Sequence, residues 1–221
     1  DTESPSDFRW AFSSNYHVRS GNNSTNGMLT DETNGKWLSK VEYGSPRMQV
    51  SLAYARHHCG NATGADGGCY DWAGYTSSDA ADQLTGNAAG IGLRAYWKPE
   101  ETGLMPSVQV GFDRMNIDDA GNAGDAEETT MWMTGLTWKD AFQDGNRLAA
   151  AVASPTTASQ RQGGADDGAK SGLTWEVYYD YKVNDGVTVT PSIFGATDRM
   201  DGAATGHDDY IGALVQTTFK F

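Results

Sequence analysis

The sequence predicts an all-β fold: a transmembrane up-and-down antiparallel β-barrel of about ten strands in a single domain, 1–221. Three observations predict it. Polar and apolar residues alternate with period 2 in ten separate segments, the connections are alternately long and short, and aromatic residues gather at both ends of the apolar face.

Averages over the chain conceal this pattern. The 221 residues carry 29 acidic against 16 basic side chains, a net charge of −13, with 38% hydrophobic residues and 27 glycines. Mean hydropathy is −0.57. So acidic a chain is not a general nucleic-acid binder, because phosphates would repel it. No apolar run reaches about eighteen residues, so a transmembrane helix is excluded. Aromatics make up 11% and recur at regular spacing, which excludes disorder. By composition alone the chain reads as an acidic, Gly-rich β domain.

The strands follow in order, each with an apolar and a polar row. Segment 8–18 sets Phe8, Trp10 and Phe12 against Arg9, Ser13 and Asn15, and 36–43 sets Trp37, Val41 and Tyr43 against Lys36, Lys40 and Glu42. Segment 47–55 carries Met48, Val50, Leu52 and Tyr54 against Gln49 and Ser51. Segment 88–97 carries Ile91, Leu93 and Trp97 against Gly92, Arg94 and Tyr96. Segments 104–113 and 130–138 place Val108, Val110, Phe112, Trp132, Leu136 and Trp138 on the apolar side, with Gln109 and Asp113 opposed. Segment 147–153 alternates Leu148, Ala150 and Val152 with smaller residues. Segment 172–183 sets Trp175, Val177, Tyr179 and Tyr181 against Thr174, Glu176, Tyr178, Asp180 and Lys182. Segments 187–197 and 210–221 finish with Val187, Val189, Ile193, Ile211, Val215, Phe219 and Phe221 against Thr188, Thr190, Gln216, Thr218 and Lys220. The stretch Trp138–Asp144 has a helical look but is short enough for a turn.

Connections at 19–35, 56–87, 114–129, 154–171 and 198–209 hold 17, 32, 16, 18 and 12 residues, whereas those at 44–46, 98–103, 139–146 and 184–186 hold 3, 6, 8 and 3. Short periplasmic turns and long external loops are the asymmetry of outer-membrane barrels. Alternation alone leaves open which row faces inward; a soluble barrel would bury the apolar one. The aromatics arbitrate. Tyr43, Trp97, Trp138, Tyr181 and Phe221 end the even strands on the turn side, and Trp37, Trp132 and Trp175 stand at the loop side, as in two membrane-interface girdles.

Outward apolar rows leave a charged lumen. The candidate pore-lining residues are Arg9, Lys40, Glu42, Arg47, Arg94, Asp113, Arg147, Glu176, Asp180, Lys182 and Lys220. With Lys36 they net +4, whereas the five long loops hold 17 acidic residues against six basic. Fixed charges in a wet lumen select ions by sign, but in a ten-strand barrel they could equally fill the bore by pairing across it, for instance Arg94 with Glu176 or Asp180.

Cys59 and Cys69, in CGNATGADGGC, read as a local disulfide formed in an oxidising compartment. The chain begins without Met and without a basic-then-apolar leader, as expected of a mature exported product or a trimmed chain. No spaced Asp/Asn/Gly signature for a hard cation is present, so no metal or cofactor is expected. Asp118, Asp119, Asp125, Glu127 and Glu128 read as a solvated acidic loop. His17 alone among the four histidines points to the predicted lumen, and no nucleophile–base–carboxylate arrangement is legible, so an enzyme is not expected.

Four stretches resemble a known family. GLRAYWKPEETGLMPSV (92–108), MTGLTWKDAFQDGNRLAAAVASP (133–155), EVYYDYKVNDGVTVTP (176–191) and the ending TTFKF (217–221) are similar to segments of cyanobacterial outer-membrane porins. The likeness covers about residues 88–221 well and the preceding part loosely. It implies passive diffusion of ions and small hydrophilic solutes, with inorganic iron or sugars for some relatives. It also implies an outer-membrane location in the lipid bilayer, a homotrimer, and a last strand read by the barrel-insertion machinery. Members usually carry a surface-layer-homology domain, a coiled coil and a larger barrel. The sequence is therefore read as a shortened member or the C-terminal part of a longer protein. Two alternatives stand beside the pore: a closed structural or adhesive barrel acting through its acidic external loops, and a soluble β-barrel for an apolar ligand.

Overall fold

The computed structural model describes residues 7–17, 34–58, 87–101, 103–118, 126–164, 172–200 and 207–220. Their alternation folds as the period demands. The strands are β1 (Asp7–His17), β2 (Asn34–Gly44), β3 (Met48–His58), β4 (Ala88–Trp97) and β5 (Ser107–Ile117). They continue with β6 (Ala126–Lys139), β7 (Arg147–Arg161), β8 (Leu173–Asn184), β9 (Val187–Met200) and β10 (His207–Phe219). All ten form one sheet in chain order, and each neighbouring pair is antiparallel. A single 3₁₀ turn, Gln162–Gly164, is the only helical piece among the described residues. Among the described residues the sheet is not closed: β1 and β10 are its two edges.

On the loop side several strands run past their expected ends. β3 reaches His58 rather than 55, β5 reaches Ile117 rather than 113, and β7 continues to Arg161 rather than 153. The β3 and β7 extensions are polar or small on both faces and carry no alternation to read, whereas in the β5 extension the apolar Met115 and Ile117 fall on the polar row. In all three the backbone groups find partners across the ladder. Pro155 survives inside β7 because the β6–β7 register shifts between Thr130 and Trp132, opposite it, while the β7–β8 ladder ends at Ala153. Proline is tolerated at such a bulge or edge, where no N–H is required.

The register separates the two rows across the whole sheet. One continuous ladder row runs Phe8–Tyr43–Val50–Ala95–Val110–Thr134–Val152–Trp175–Gly195–Ile211, every member on the apolar face. That face is exposed, with Trp10 at 63% and Val215 at 67%. The buried apolar cluster is small, Ala88, Ile117 and Ala126 with Met115 and Ala158 against it. By register it lies on the polar face at the loop end.

The short turns are fixed by local geometry. At the β2–β3 turn, a Cβ on Gly44 would stand 2.2 Å from the Met48 carbonyl oxygen, which accepts a 2.7 Å bond from the Ser45 N–H. Gly44→Ala is expected to cost more than about 1 kcal/mol, read as a lower urea midpoint for the refolded protein. In the β6–β7 turn Asp140, Phe142 and Gly145 all have positive φ (55°, 65° and 85°), and the Asp140 carboxylate accepts the Gly145 N–H at 2.7 Å.

Candidate functional site

The polar face of the sheet holds most of the residues expected to line a pore. Arg9 stands opposite Glu42, which also receives Lys40 Nζ at 2.5 Å and Gln49 Nε2 at 2.6 Å. Arg94 grips Asp113 on the next strand with two parallel bonds of 2.7 and 2.6 Å, the fork geometry that makes arginine–carboxylate pairs directional. Arg147 Nε donates to Asp180 Oδ2 at 2.7 Å, the Thr190 hydroxyl donates to Asp180 Oδ1 at 2.7 Å, and the Arg147 guanidinium lies 5.5 Å from the Tyr178 ring centre. Glu176 has no ion-pair partner among the described residues. It lines an open depression of about 420 Å³ with Arg147, Tyr178, Asp180, Thr190 and Gln216.

Two of the expected residues sit at the rim instead. Arg47 is in the β2–β3 turn and pairs with Glu100 of the β4–β5 turn. Lys182 lies near the end of β8 and pairs with Asp185 at 2.7 Å, and this bond holds the Asp185 carboxyl below its ordinary range. The Lys220 backbone N–H bonds Gly186 O at 2.8 Å, fastening the chain end beside the β8–β9 turn.

Glycines give this face its shape. Arg94 stands opposite Gly111, Asp113 opposite Gly92, and Gln109 opposite Gly135. A Cβ on Gly92 would meet Asp113 Oδ1 at 2.6 Å, on Gly111 it would meet Arg94 Cδ at 2.9 Å, and on Gly135 it would meet Gln109 Nε2 at 2.7 Å. Each long polar side chain therefore lies flat over the bare backbone of its neighbour. Among the described residues, every ion pair on this face joins the same strand or the next one, and Arg94 pairs with Asp113 rather than with Glu176 or Asp180. The cradling glycines were not singled out from the sequence; once register is known, a glycine opposite a long polar residue is the signal. The same face also carries an apolar stretch near the loop side, where Met131, Met133, Ala151, Ala153, Phe194 and Tyr210 line a depression of about 460 Å³.

The opposite face bears the expected girdle residues. Trp37, Tyr43, Trp97, Trp132, Trp138, Trp175 and Tyr181 all share it by register. On this face Trp10 Nε1 donates to the Ser39 hydroxyl at 2.9 Å, Trp138 Nε1 donates to Leu104 O at 3.1 Å, and the Tyr179 hydroxyl donates to Ala141 O at 3.1 Å. Just beyond the loop-side aromatics come Arg56, bonded to Asp118 at 3.1 Å, and Arg114, paired with Glu128. Glu128 also accepts the Ser159 hydroxyl at 2.8 Å. Charges thus bound the apolar band where the aromatics end. This collar was hidden because 56–87 and 114–129 read as loops. Phe221, Cys59 and Cys69 lie outside the described residues, as do Asp119 and Asp125 of the acidic loop. No described helix is long and apolar enough to cross a membrane, which says nothing about strands. Among the described residues no group of His, Cys, Asp and Glu is arranged to hold a metal.

No protein-family model matches the chain, and no curated protein matches it either.

Proposed function

We propose that the chain forms an outer-membrane porin wall through which ions and small hydrophilic solutes diffuse passively. The observation that supports this best is the flattened polar face. Its charged side chains pair sideways along the sheet, Arg94 and Asp113 over bare glycine backbone, instead of projecting outward, which leaves room for water in a bore that side chains would otherwise fill. The exposed apolar face supports the membrane half of the reading. A contiguous apolar surface of this extent on a soluble monomer is unusual, whereas a band of Val, Leu, Ile and Ala between aromatic belts suits lipid. Under this reading the protein resides in a bacterial outer membrane, needs no cofactor, and offers β10 to the insertion machinery. The cyanobacterial origin and homotrimer rest on the sequence resemblance alone.

Purified protein in a planar bilayer is expected to give stable conductance steps; a flat trace at high protein load would reject the pore. Asp113→Asn would leave Arg94 uncompensated and shift the reversal potential in a salt gradient toward anions, with Arg94→Gln shifting it toward cations. A unit charge about 6 Å from a passing ion in water is worth about 0.7 kcal/mol, roughly threefold for one ion and, acting oppositely on cation and anion, about tenfold in their permeability ratio. Shifts of the same sign for both variants would disconnect this pair from the conduction path.

A further inference from the structure

The ladder row that starts at Phe8 climbs across the sheet. Phe8 is one position from the turn-side end of β1, Val110 is three from Ser107, and Ile211 is eight from Phe219. The drift is seven residues over nine strand-to-strand steps, about 0.8 residue per strand. With about 3.4 Å per residue and about 4.8 Å between strands, one residue per strand tilts the strands by about 35°, the lower end of the range that closed barrels require. Ten strands also leave the two edges antiparallel to each other, as a closing ladder between them would need. In lipid, 11- and 13-residue edge strands would each expose backbone groups whose desolvation costs several kcal/mol apiece. In water those groups are hydrated and the opening is tolerated.

We propose that in the bilayer β1 pairs with β10 of the same chain, with Trp10 opposite Phe219 and Phe12 opposite Thr217, closing the ten strands into one ring. The register follows from the stagger. The shift around the ring must be even for the polar face to meet the polar face, and ten is the even value nearest the observed drift that keeps the tilt in the barrel range. The row leaving Phe8 then returns ten positions higher. On the polar face Ala11 meets Thr218, and Arg9 meets Lys220 with Glu42 as counter-charge opposite Arg9. The chain's own strand is the favoured partner because the tether spares it the association entropy that a second copy would lose. The inference rests on the membrane reading proposed above, but its test does not depend on conduction.

The test is oxidative crosslinking of Ala11→Cys/Thr218→Cys in vesicles, with Cys59 and Cys69 replaced by Ser. Thr188→Cys/Thr218→Cys, opposed across β9 and β10, reports that the sheet has formed. The expected result is a monomeric crosslink several-fold above either single-cysteine control. Crosslinked dimers would overturn the proposal in favour of a ring of two copies. A formed β9–β10 crosslink with no β1–β10 product would overturn it in favour of edges that take strands outside these ten. Stronger crosslinking of Ala11→Cys to Gln216→Cys would overturn the register.

Discussion

Leu93→Arg is expected to destabilise the protein in lipid vesicles by about 2–4 kcal/mol, the cost of a cation on the lipid face near the midplane. Leu93 sits in the middle of β4 between Leu52 and Phe112, on the apolar face, already 46% exposed. In water an exposed position of this kind tolerates arginine within about 0.5 kcal/mol, so the size of the loss tests the membrane itself. Gln216→Arg, on the polar face of β10, is the matched control and should change little. Urea unfolding of the two variants in vesicles reads both. Equal, small effects would refute a lipid-facing apolar row.

Asn146→Ala is expected to cost about 1–3 kcal/mol, because it removes the acceptor of the part-buried Lys182 N–H and the donor to the Tyr179 hydroxyl, which keeps its own bond to Ala141 O. Asn146 is only 2% exposed and joins three elements. Its Nδ2 donates to the Tyr179 hydroxyl at 2.6 Å, and its Oδ1 accepts the Lys182 N–H at 2.9 Å. Its backbone carbonyl accepts the Asp140 N–H at 2.7 Å, closing the β6–β7 turn. The side chain thereby pins that turn to β8, and Tyr179 passes the connection on to Ala141. Asn146→Asp keeps the acceptor and loses the donor, so its urea midpoint should fall between those of Asn146→Ala and the parent. An unchanged midpoint for Asn146→Ala would show the connection to be redundant.

The ten strands and their faces were readable because side chains alternate strictly along a strand. Trp37 and Tyr43 needed only their spacing to be put on one face, and Arg94 and Asp113 on the other. The loop-side ends were not readable. Beyond Tyr54 and Val152 the residues are polar or small on both sides, and beyond Phe112 the apolar Met115 and Ile117 fall on the polar row, so only the ladder of backbone bonds shows the strands continuing. The small cluster of Ala88, Ile117 and Ala126 and the collar of Arg56 and Arg114 belong to those unread extensions.

Partnership on the polar face lay further out of reach. Arg94 could be assigned to the face but not to Asp113, because that choice depends on the β4–β5 register set across a turn, and the same holds for Arg147 with Asp180. Gly92 reads only as a member of the polar row and Gly111 is unremarked in the sequence; both become cradles only when a neighbouring strand supplies what lies over them. The sequence by itself determined the two-faced strands and their up-and-down order, since both follow from a local period and the lengths of the connections. Only the tertiary structure decided that the charges lie flat in sideways pairs and that the strands climb by about 0.8 residue each, because register is a relation between strands.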